Sequence, residues 1–444
     1  MADQTLILTL LRSGIPDNIY KLVDEIHPAD VLEAVQDEGG GDYSLLLSLP
    51  DDFLADVIDE AEDDDKYEII RILEPDRLRS VLNRMSVDEI ADLIQELEDD
   101  NKDAVVKALR GRTRNEVRQL LRYAEDTAGG IMTTQFIAIY ASNTVMRALN
   151  YLKTETDAET GYYMYVVDKE DYTLRGVVSL RDLVMAPFDE LISDLMNTSV
   201  IYVRAEDDQE EVAAQFRKYG FPALPVVDEN QKMIGIVTVD DVMDVMNEEF
   251  TEDIHHMGGV SGEERVEGSV IDSVRSRLPW LIVNLLTALL ASAVIARFNG
   301  TIEKIVALSA VMTIISGMGG NAGTQSLTLM VRALTLDEIS RDNAKRILCK
   351  ELGAALVNGL VIGILVALIA LWYDFNPWFG LIAGLAMILN MLCAALAGFL
   401  VPILLEKLHV DPAIASSVFV TTVTDCMGFF LFLGLATLAM PLLT

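Results

Sequence analysis

The chain has 444 residues, 51% of them hydrophobic, yet it carries 69 acidic against 34 basic side chains, a net charge of −35. Residues 1–130 hold 14 basic and 32 acidic groups, 131–270 hold 10 and 27, and 271–444 hold 10 and 10, so the whole imbalance precedes position 271. A mean hydropathy of +0.31 beside that charge excludes a single soluble globule and points to an acidic, water-exposed part fused to an apolar, membrane-like part. Nucleic acid is not an expected partner without a basic patch, and three cysteines confined to the apolar part do not make a disulfide scaffold.

Met1–Gly14 opens with Asp3 and lacks a basic leader, so no secretory signal is expected and the acidic part is placed in the cytoplasm. Residues 1–126 read as helical throughout, with apolar positions three and four apart, as in Phe53, Leu54, Val57 and Ile58. A short unit recurs at Ile26–Leu32, Leu49–Leu54, Leu73–Leu78 and Met85–Ile90. In it Pro or Ser precedes acids that suit the positive end of a helix. Stacked short helices forming a superhelix are the expected outcome. Residues 127–246 change character and repeat once. Tyr162–Asp168, Leu174–Ser179 and Arg181–Met185 read strand, strand, helix, and Ala223–Asp228, Met233–Thr238 and Asp240–Met246 repeat that order. Ile131-Met-Thr-Thr and Leu195-Met-Asn-Thr open the two copies, 127–192 and 193–246, which should pack as a pseudo-symmetric pair.

A connecting helix is expected over 247–276, then a transmembrane domain over 277–444. Five stretches there are long enough to span a membrane: Leu278–Ala296, Ile305–Val331, Leu352–Tyr373, Phe375–Leu405 and Pro412–Thr444. Arg275, Arg277, Arg332, Arg341, Lys345, Arg346, Lys350 and Lys407 then lie on the cytoplasmic side, against Arg297 and Lys304 outside. That asymmetry predicts a cytoplasmic N terminus and an outside C terminus in the cell membrane. The expected fold class is a multidomain membrane protein: an all-α superhelical domain, an α/β pair and five transmembrane helices in contact with lipid.

Gly-h-h-Ser/Thr-x-x-Asp, with h apolar, occurs at Gly176–Asp182 and again at Gly235–Asp241, and this resembles a tandem cystathionine-β-synthase (CBS) regulatory pair. The acidic helical repeat precedes it, and Gly319-Gly-Asn-Ala-Gly-Thr-Gln-Ser326, Arg277-Leu-Pro-Trp-Leu281 and Thr424-Asp-Cys-Met-Gly428 follow it. With this order of domains, essentially the whole chain resembles the MgtE family of magnesium channels and transporters. The resemblance implies a homodimer rather than an enzyme, with Mg²⁺ as both substrate and regulatory ligand. It also implies that the acid at position 425 from each of two subunits holds a hydrated Mg²⁺ beside a central pore.

Asp425 is the only charged residue in a 33-residue run, near the bilayer midplane at ~1.5 Å of rise per residue. A carboxylate at that depth costs roughly 2.5–3.5 kcal/mol by insertion scales, so it should face a cavity or bind something. The alternative is a structural Asp tied to Thr421, Thr422 or Thr424. Gly317–Gly323 follows no soluble strand and is not a dinucleotide fingerprint. Gly319 and Gly323 form GxxxG, which serves close helix packing, or else the glycines thin the second span so that Asn321, Thr324 and Gln325 offer oxygens. The candidate pore set is Asp425, Asn321, Thr421 and Gly320.

Asp88 and Asp92, and Asp240 and Asp244, are like-charged i,i+4 pairs. Unit charges 4 Å apart repel by ~1 kcal/mol in bulk water and ~4 kcal/mol at an effective dielectric of 20, so such faces need cations to pack. The resemblance assigns positions like these to regulatory Mg²⁺. The candidates are Asp88, Asp92, Asp207, Asp208, Glu210, Asp241, Asp244, Glu249, Glu252 and Asp253. Glu62–Asp65 reads as a solvated face. Moving a gate from 1:99 to 99:1 needs ~5.5 kcal/mol. A half-filled site contributes RT ln 2, about 0.4 kcal/mol, so roughly a dozen weak sites per dimer suffice. Ser179, Arg181, Asp182 and Thr238 are candidates for an adenine nucleotide such as ATP, against a plain capped turn. His255-His256 reads as linker, because adjacent helical residues point apart. Two rival functions stand beside Mg²⁺ transport: a broader path for Mn²⁺, Co²⁺ or Ni²⁺, and a non-transporting nucleotide sensor.

Overall fold

The computed structural model describes every residue except 1–3, 38–41, 62, 98, 155–160, 263, 265, 267, 337, 341, 375, 415 and 444. Glu62 of the acidic run and Arg341 of the orientation count therefore lie outside the described residues. The chain divides into two compact units, Met1–Met246 and Asn247–Thr444.

Among the described residues, the first unit begins with nine short α-helices: α1 (Gln4–Ser13), α2 (Pro16–Glu25), α3 (Pro28–Gln36), α4 (Asp51–Asp59), α5 (Asp63–Arg71), α6 (Pro75–Leu82), α7 (Val87–Glu96), α8 (Asp99–Ala108) and α9 (Gly111–Leu120). The recurring Pro/Ser-acid unit falls at the starts of α3, α4, α6 and α7. Pro28 and Pro75 occupy the first turn, and Asp51, Asp52, Asp88 and Glu89 sit where the helix dipole is positive. The apolar i, i+3, i+4 positions turn inward, and Leu54, Ile58, Ile69, Leu82, Ile90, Leu93 and Ile94 form the core that joins successive helices.

Two three-stranded sheets follow. The first has β1 (Ala138–Tyr140), β2 (Tyr163–Val167) and β3 (Leu174–Ser179), with β1 parallel and β3 antiparallel to β2. The crossover helix α10 (Val145–Leu152) comes between β1 and β2, and α11 (Leu180–Met185) and α12 (Ile192–Leu195) come after β3. The second copy repeats the plan with β4 (Val203–Arg204), α13 (Gln209–Tyr219), β5 (Ala223–Val227) and β6 (Met233–Thr238). Each copy places a register shift at the same point, Val166/Val167 and Val226/Val227.

The opening motifs cross between copies. Val177 bridges Asn197 and Thr133 bridges Ile236. A Cβ on Gly176 would fall 2.8 Å from Met196 Sδ and 2.9 Å from the Asn197 carbonyl. A Cβ on Gly235 would fall 2.6 Å from Met132 Sδ and 2.8 Å from the Thr133 carbonyl. The first glycine of each repeated motif is thus the seat for the other copy's methionine, where only a residue without a Cβ fits.

Helix α14 (Val239–Gly258) starts directly at the end of β6 and runs 20 residues. It does not continue to 276 as the connecting helix was expected to. Gly259 takes φ +73°, the left-handed conformation that ends a helix. A segment then leads to α15 (Val270–Ala296), whose start carries a reciprocal capping box between Ser269 and Asp272.

The second unit continues with α16 (Asn299–Ile302), α17 (Ala307–Thr335), α18 (Ala344–Asp374), α19 (Pro377–Lys407), α20 (Ser416–Leu438) and α21 (Met440–Leu443). Helix α19 is central, packing on α17, α18 and α20, while α15 packs on α20. Four helices among the described residues are long and apolar enough to cross a membrane: α15 and α18–α20. The expected fifth span, α17, is 29 residues long. It falls short on apolarity because Ser316, Gly317, Gly319, Gly320, Asn321, Gly323, Thr324, Gln325 and Ser326 occupy its middle.

Candidate ion path and acidic sensor

In the second unit, Asp425 lies about two-fifths of the way along α20 and is half-buried. Its partner is not a neighbouring threonine. Thr421, Thr422 and Thr424 donate back to the Ser417, Val418 and Thr421 carbonyls at 2.7, 2.6 and 2.9 Å, as hydroxyls in apolar helices commonly do. The Ser316 hydroxyl of α17 donates to Asp425 Oδ1 instead. Ser316, a residue sequence reasoning missed, is 8% exposed, and its only sequence signal is a hydroxyl one residue before the glycine run.

The glycines of α17 bring it close to its neighbours. A Cβ on Gly323 would fall 2.6 Å from Val420, and one on Gly398 of α19 would fall 2.8 Å from the Gly323 carbonyl. Gly319 and Gly323 thus serve close packing, while Gly320 has only Thr424 Oγ1 at 4.0 Å from a built Cβ. Asn321, Thr324, Gln325 and Thr421 are exposed on this unit. With the half-buried Asp425 they make polar surface on α17 and α20. Other buried polar residues were also missed. Asn390 of α19 is fully buried, and Glu351 at the start of α18 is 7% exposed. Glu351 accepts from Ser326 Oγ at 3.1 Å and lies 3.3 Å from Lys350 Nζ.

Acids also converge in the first unit. Asp88 is 9% exposed. Next to it Glu89, which was not singled out, pairs with the buried Lys66. Asp59 of α4 accepts from the Ser86 backbone N–H at 3.1 Å through Oδ2, while its Oδ1 is buried without a hydrogen-bond partner. Burial pushes the Asp59 carboxyl up to about 7, with Glu89 adding and the Ser86 N–H and Lys66 opposing. Asp241 is pushed up to about 6, first by burial and then by Asp240 and Glu89, against the Thr238 hydroxyl that donates to it at 2.5 Å. Glu89 therefore raises an acid of the helical repeat and an acid of the second sheet copy together. Negative charge is here concentrated around Lys66, and an added cation would lower the repulsion between Glu89, Asp59 and Asp241.

Other candidates do ordinary structural work. Asp207 accepts from the Arg204 N–H and Asp208 caps α13 through the Glu210 N–H, both at 2.8 Å. Ser179 and Asp182 bond reciprocally at the start of α11, at 2.6 and 3.1 Å. That is the capped turn weighed against a nucleotide site. Thr238 belongs to the second motif and is 5% exposed, while Arg181 is exposed. Asp92 is half-buried on α7, and Asp244 is exposed on α14.

The later part of α14 falls in the second unit. Asp253 lies 3.5 Å from Thr335 Oγ1 and is raised by burial and by Asp411. His256 Nδ1 lies 3.2 Å from Asp411 and Nε2 3.6 Å from Glu252. Its pKa is raised first by the Asp411 hydrogen bond, so His256 is more than linker. Glu249 is half-buried beside them, and the Arg332 guanidinium stacks over Phe250 at 5.6 Å. No three His, Cys, Asp or Glu side chains among the described residues are placed to hold one ion directly.

Comparison with known proteins follows the same division. Residues 17–126 match the MgtE intracellular N domain, 128–189 and 192–248 match CBS domains, and 312–435 match the MgtE divalent cation transporter family. The magnesium transporter MgtE of Thermus thermophilus is 37% identical over 436 residues, 96% of each chain. That of Bacillus subtilis is 33% identical over 435 residues, covering 97% of this chain and 96% of the relative. Among solved structures, the cytosolic domain of the Mg²⁺ channel MgtE in complex with ATP is 41% identical. It aligns with a TM-score of 0.51 over 55% of this chain and all of that one. With near-complete coverage at this identity, the chain belongs to the MgtE family.

Proposed function

We propose that the chain carries Mg²⁺ across the cell membrane as a homodimer, with Asp425 of each copy holding the hydrated ion. One observation carries the reading: a half-buried carboxylate on α20, oriented by Ser316, lies in an apolar bundle that also exposes Asn321 and Thr421. Such a surface facing hydrocarbon would cost several kcal/mol per group by the estimates for unsatisfied polar groups in lipid (roughly). A water-filled path shared with a second copy removes that cost, and two carboxylates balance one dication. Helix α17 is then a fifth span that lines the path, with Gly320 and Asn321 beside it. The N terminus is cytoplasmic and the C terminus outside, in keeping with the Lys and Arg asymmetry.

Residues 1–126, 127–246, 247–276 and 277–444 act in this reading as sensor, CBS pair, connector and pore. Cytosolic Mg²⁺ closes the path by neutralising acids. Asp88, Asp92, Asp241 and Asp244 serve in the first unit, with Asp207, Asp208 and Glu210 at the edge of the pair, and Glu249, Glu252 and Asp253 serve in the second. The Glu89-centred repulsion supports it. ATP at Ser179, Arg181, Asp182 and Thr238 is a further part of the proposal, supported by the relative solved with ATP.

Mg²⁺ flux into liposomes, comparing wild type with Asp425→Ala, tests the pore. Equal flux refutes it. Neutralising Asp241, Asp244, Glu249 and Glu252 tests the gate, and unchanged inhibition by internal Mg²⁺ refutes that part.

A further inference from the structure

Asn390 is 0% exposed in the middle of α19. Its Nδ2 donates to the Ile315 carbonyl of α17 at 2.9 Å, using the lone pair that the helix ladder leaves over. Its Oδ1 is buried without a hydrogen-bond partner among the described residues. An amide satisfied on one side is a poor choice for packing alone, since an apolar residue of similar volume carries no desolvation cost. The bundle nonetheless makes room for it twice. A Cβ on Gly428 of α20 would fall 2.8 Å from Nδ2, and a Cβ on Gly319 of α17 would overlap the same atom. Gly428 lies one turn beyond Asp425, and Ile315 immediately precedes Ser316. The amide is therefore wedged at the α17–α20 crossing, beside the hydroxyl–carboxylate contact.

We infer that Asn390 is a positioning residue for the ion site: by holding the Ile315 carbonyl it fixes the rotation of α17 that keeps the Ser316 hydroxyl on Asp425. The Ser316 bond occupies Oδ1 and leaves Oδ2 for the hydrated ion. The inference rests on the reading of Asp425 as the ion's carboxylate.

The test uses the full chain in liposomes and reads the Mg²⁺ concentration that half-saturates flux. Leu at position 390 keeps most of the volume and removes the donor. Asn390→Leu and Ser316→Ala are each expected to raise that concentration about tenfold, the scale of one hydrogen bond to a charged group. If Asn390 acts through Ser316, the double variant rises no more than about twofold beyond Ser316→Ala alone. An unchanged value in either single variant overturns the inference, and so does a double variant whose shift is the product of the two. Gly428→Ala keeps Asn390 but displaces its amide, and is expected to shift half-saturation as Asn390→Leu does. It supplies the readout if Asn390→Leu is not recovered folded by gel filtration. Failure of the pore reading looks different: flux in Asp425→Ala equals wild type. Lost flux in Asp425→Ala with normal half-saturation in Asn390→Leu sinks only the positioning role.

Discussion

Replacing Asp241 by Asn is expected to stabilise the segment 1–246 when divalent cations are absent. Burial, Asp240 and Glu89 raise this carboxyl from 3.8 to about 6. A shift of roughly two units is about 3 kcal/mol of differential interaction between the protonation states. The folded unit holds the proton more tightly than the unfolded chain. No penalty therefore exists below the unfolded pKa of 3.8; it grows as pH rises toward about 6 and stands in full above that. Asn keeps an oxygen to accept from Thr238 and removes the charge. At about 2–4 °C per kcal/mol for a unit of 150–250 residues, the gain near pH 7.5 is up to roughly 6–12 °C in Tm. Thermal unfolding followed by circular dichroism, in chelator, measures it across pH 3.5 to 8 (about one point per half unit). Wild type should lose stability between pH 4 and 6, roughly the window between the two pKa values, and the variant should lack that component. Added Mg²⁺ should then stabilise wild type more than the variant. An unchanged or lower Tm for Asp241→Asn near neutral pH, or parallel losses from pH 4 to about 6, would refute the reasoning.

Four further outcomes follow from the packing. Lys66→Met takes the ammonium from the half-buried Glu89 and should cost about 1–3 kcal/mol, measured by urea unfolding of segment 1–246. Adding Glu89→Gln should recover most of that loss. Gly235→Ala drives a methyl against Met132 and the Thr133 carbonyl and should cost about 1–3 kcal/mol by the same assay. Gly220→Ala meets no atom within 4 Å but must hold φ +66°, and should cost only about 1–2 kcal/mol. In the membrane unit, Glu351→Gln should retain the Ser326 bond and unfold near the wild-type temperature, whereas Glu351→Ala should lose about 1–3 kcal/mol with Ser326 left unpaired.

Much of the architecture was legible because it rests on periodicity and on local rules. Pro28, Asp51, Pro75 and Ser86 announce helix starts by dipole and dihedral alone, and the strand–strand–helix repeat shows through alternation and turn residues. Helix α17 was legible as a charge-free stretch even though its apolarity is low, because absence of charge and absence of polarity are separate signals. The connector was misjudged at its far end. A left-handed glycine at 259 stops α14 eighteen residues before 277, and that conformation is a property of the folded turn.

The sequence by itself determined the division of charge at position 271, the twofold repeat of the sheet copies, and the isolation of Asp425 in an apolar run. Each of these is a matter of which residues are near in the chain. Only the tertiary structure decided what those residues meet. Ser316 and not a threonine holds Asp425, Asn390 meets Gly319 while Val420 meets Gly323, and Glu89 links Asp59 to Asp241 across 182 positions of sequence. The physical reason is the same in each case. A buried polar group must find a partner or shift its protonation, and helix packing brings that partner from another part of the chain.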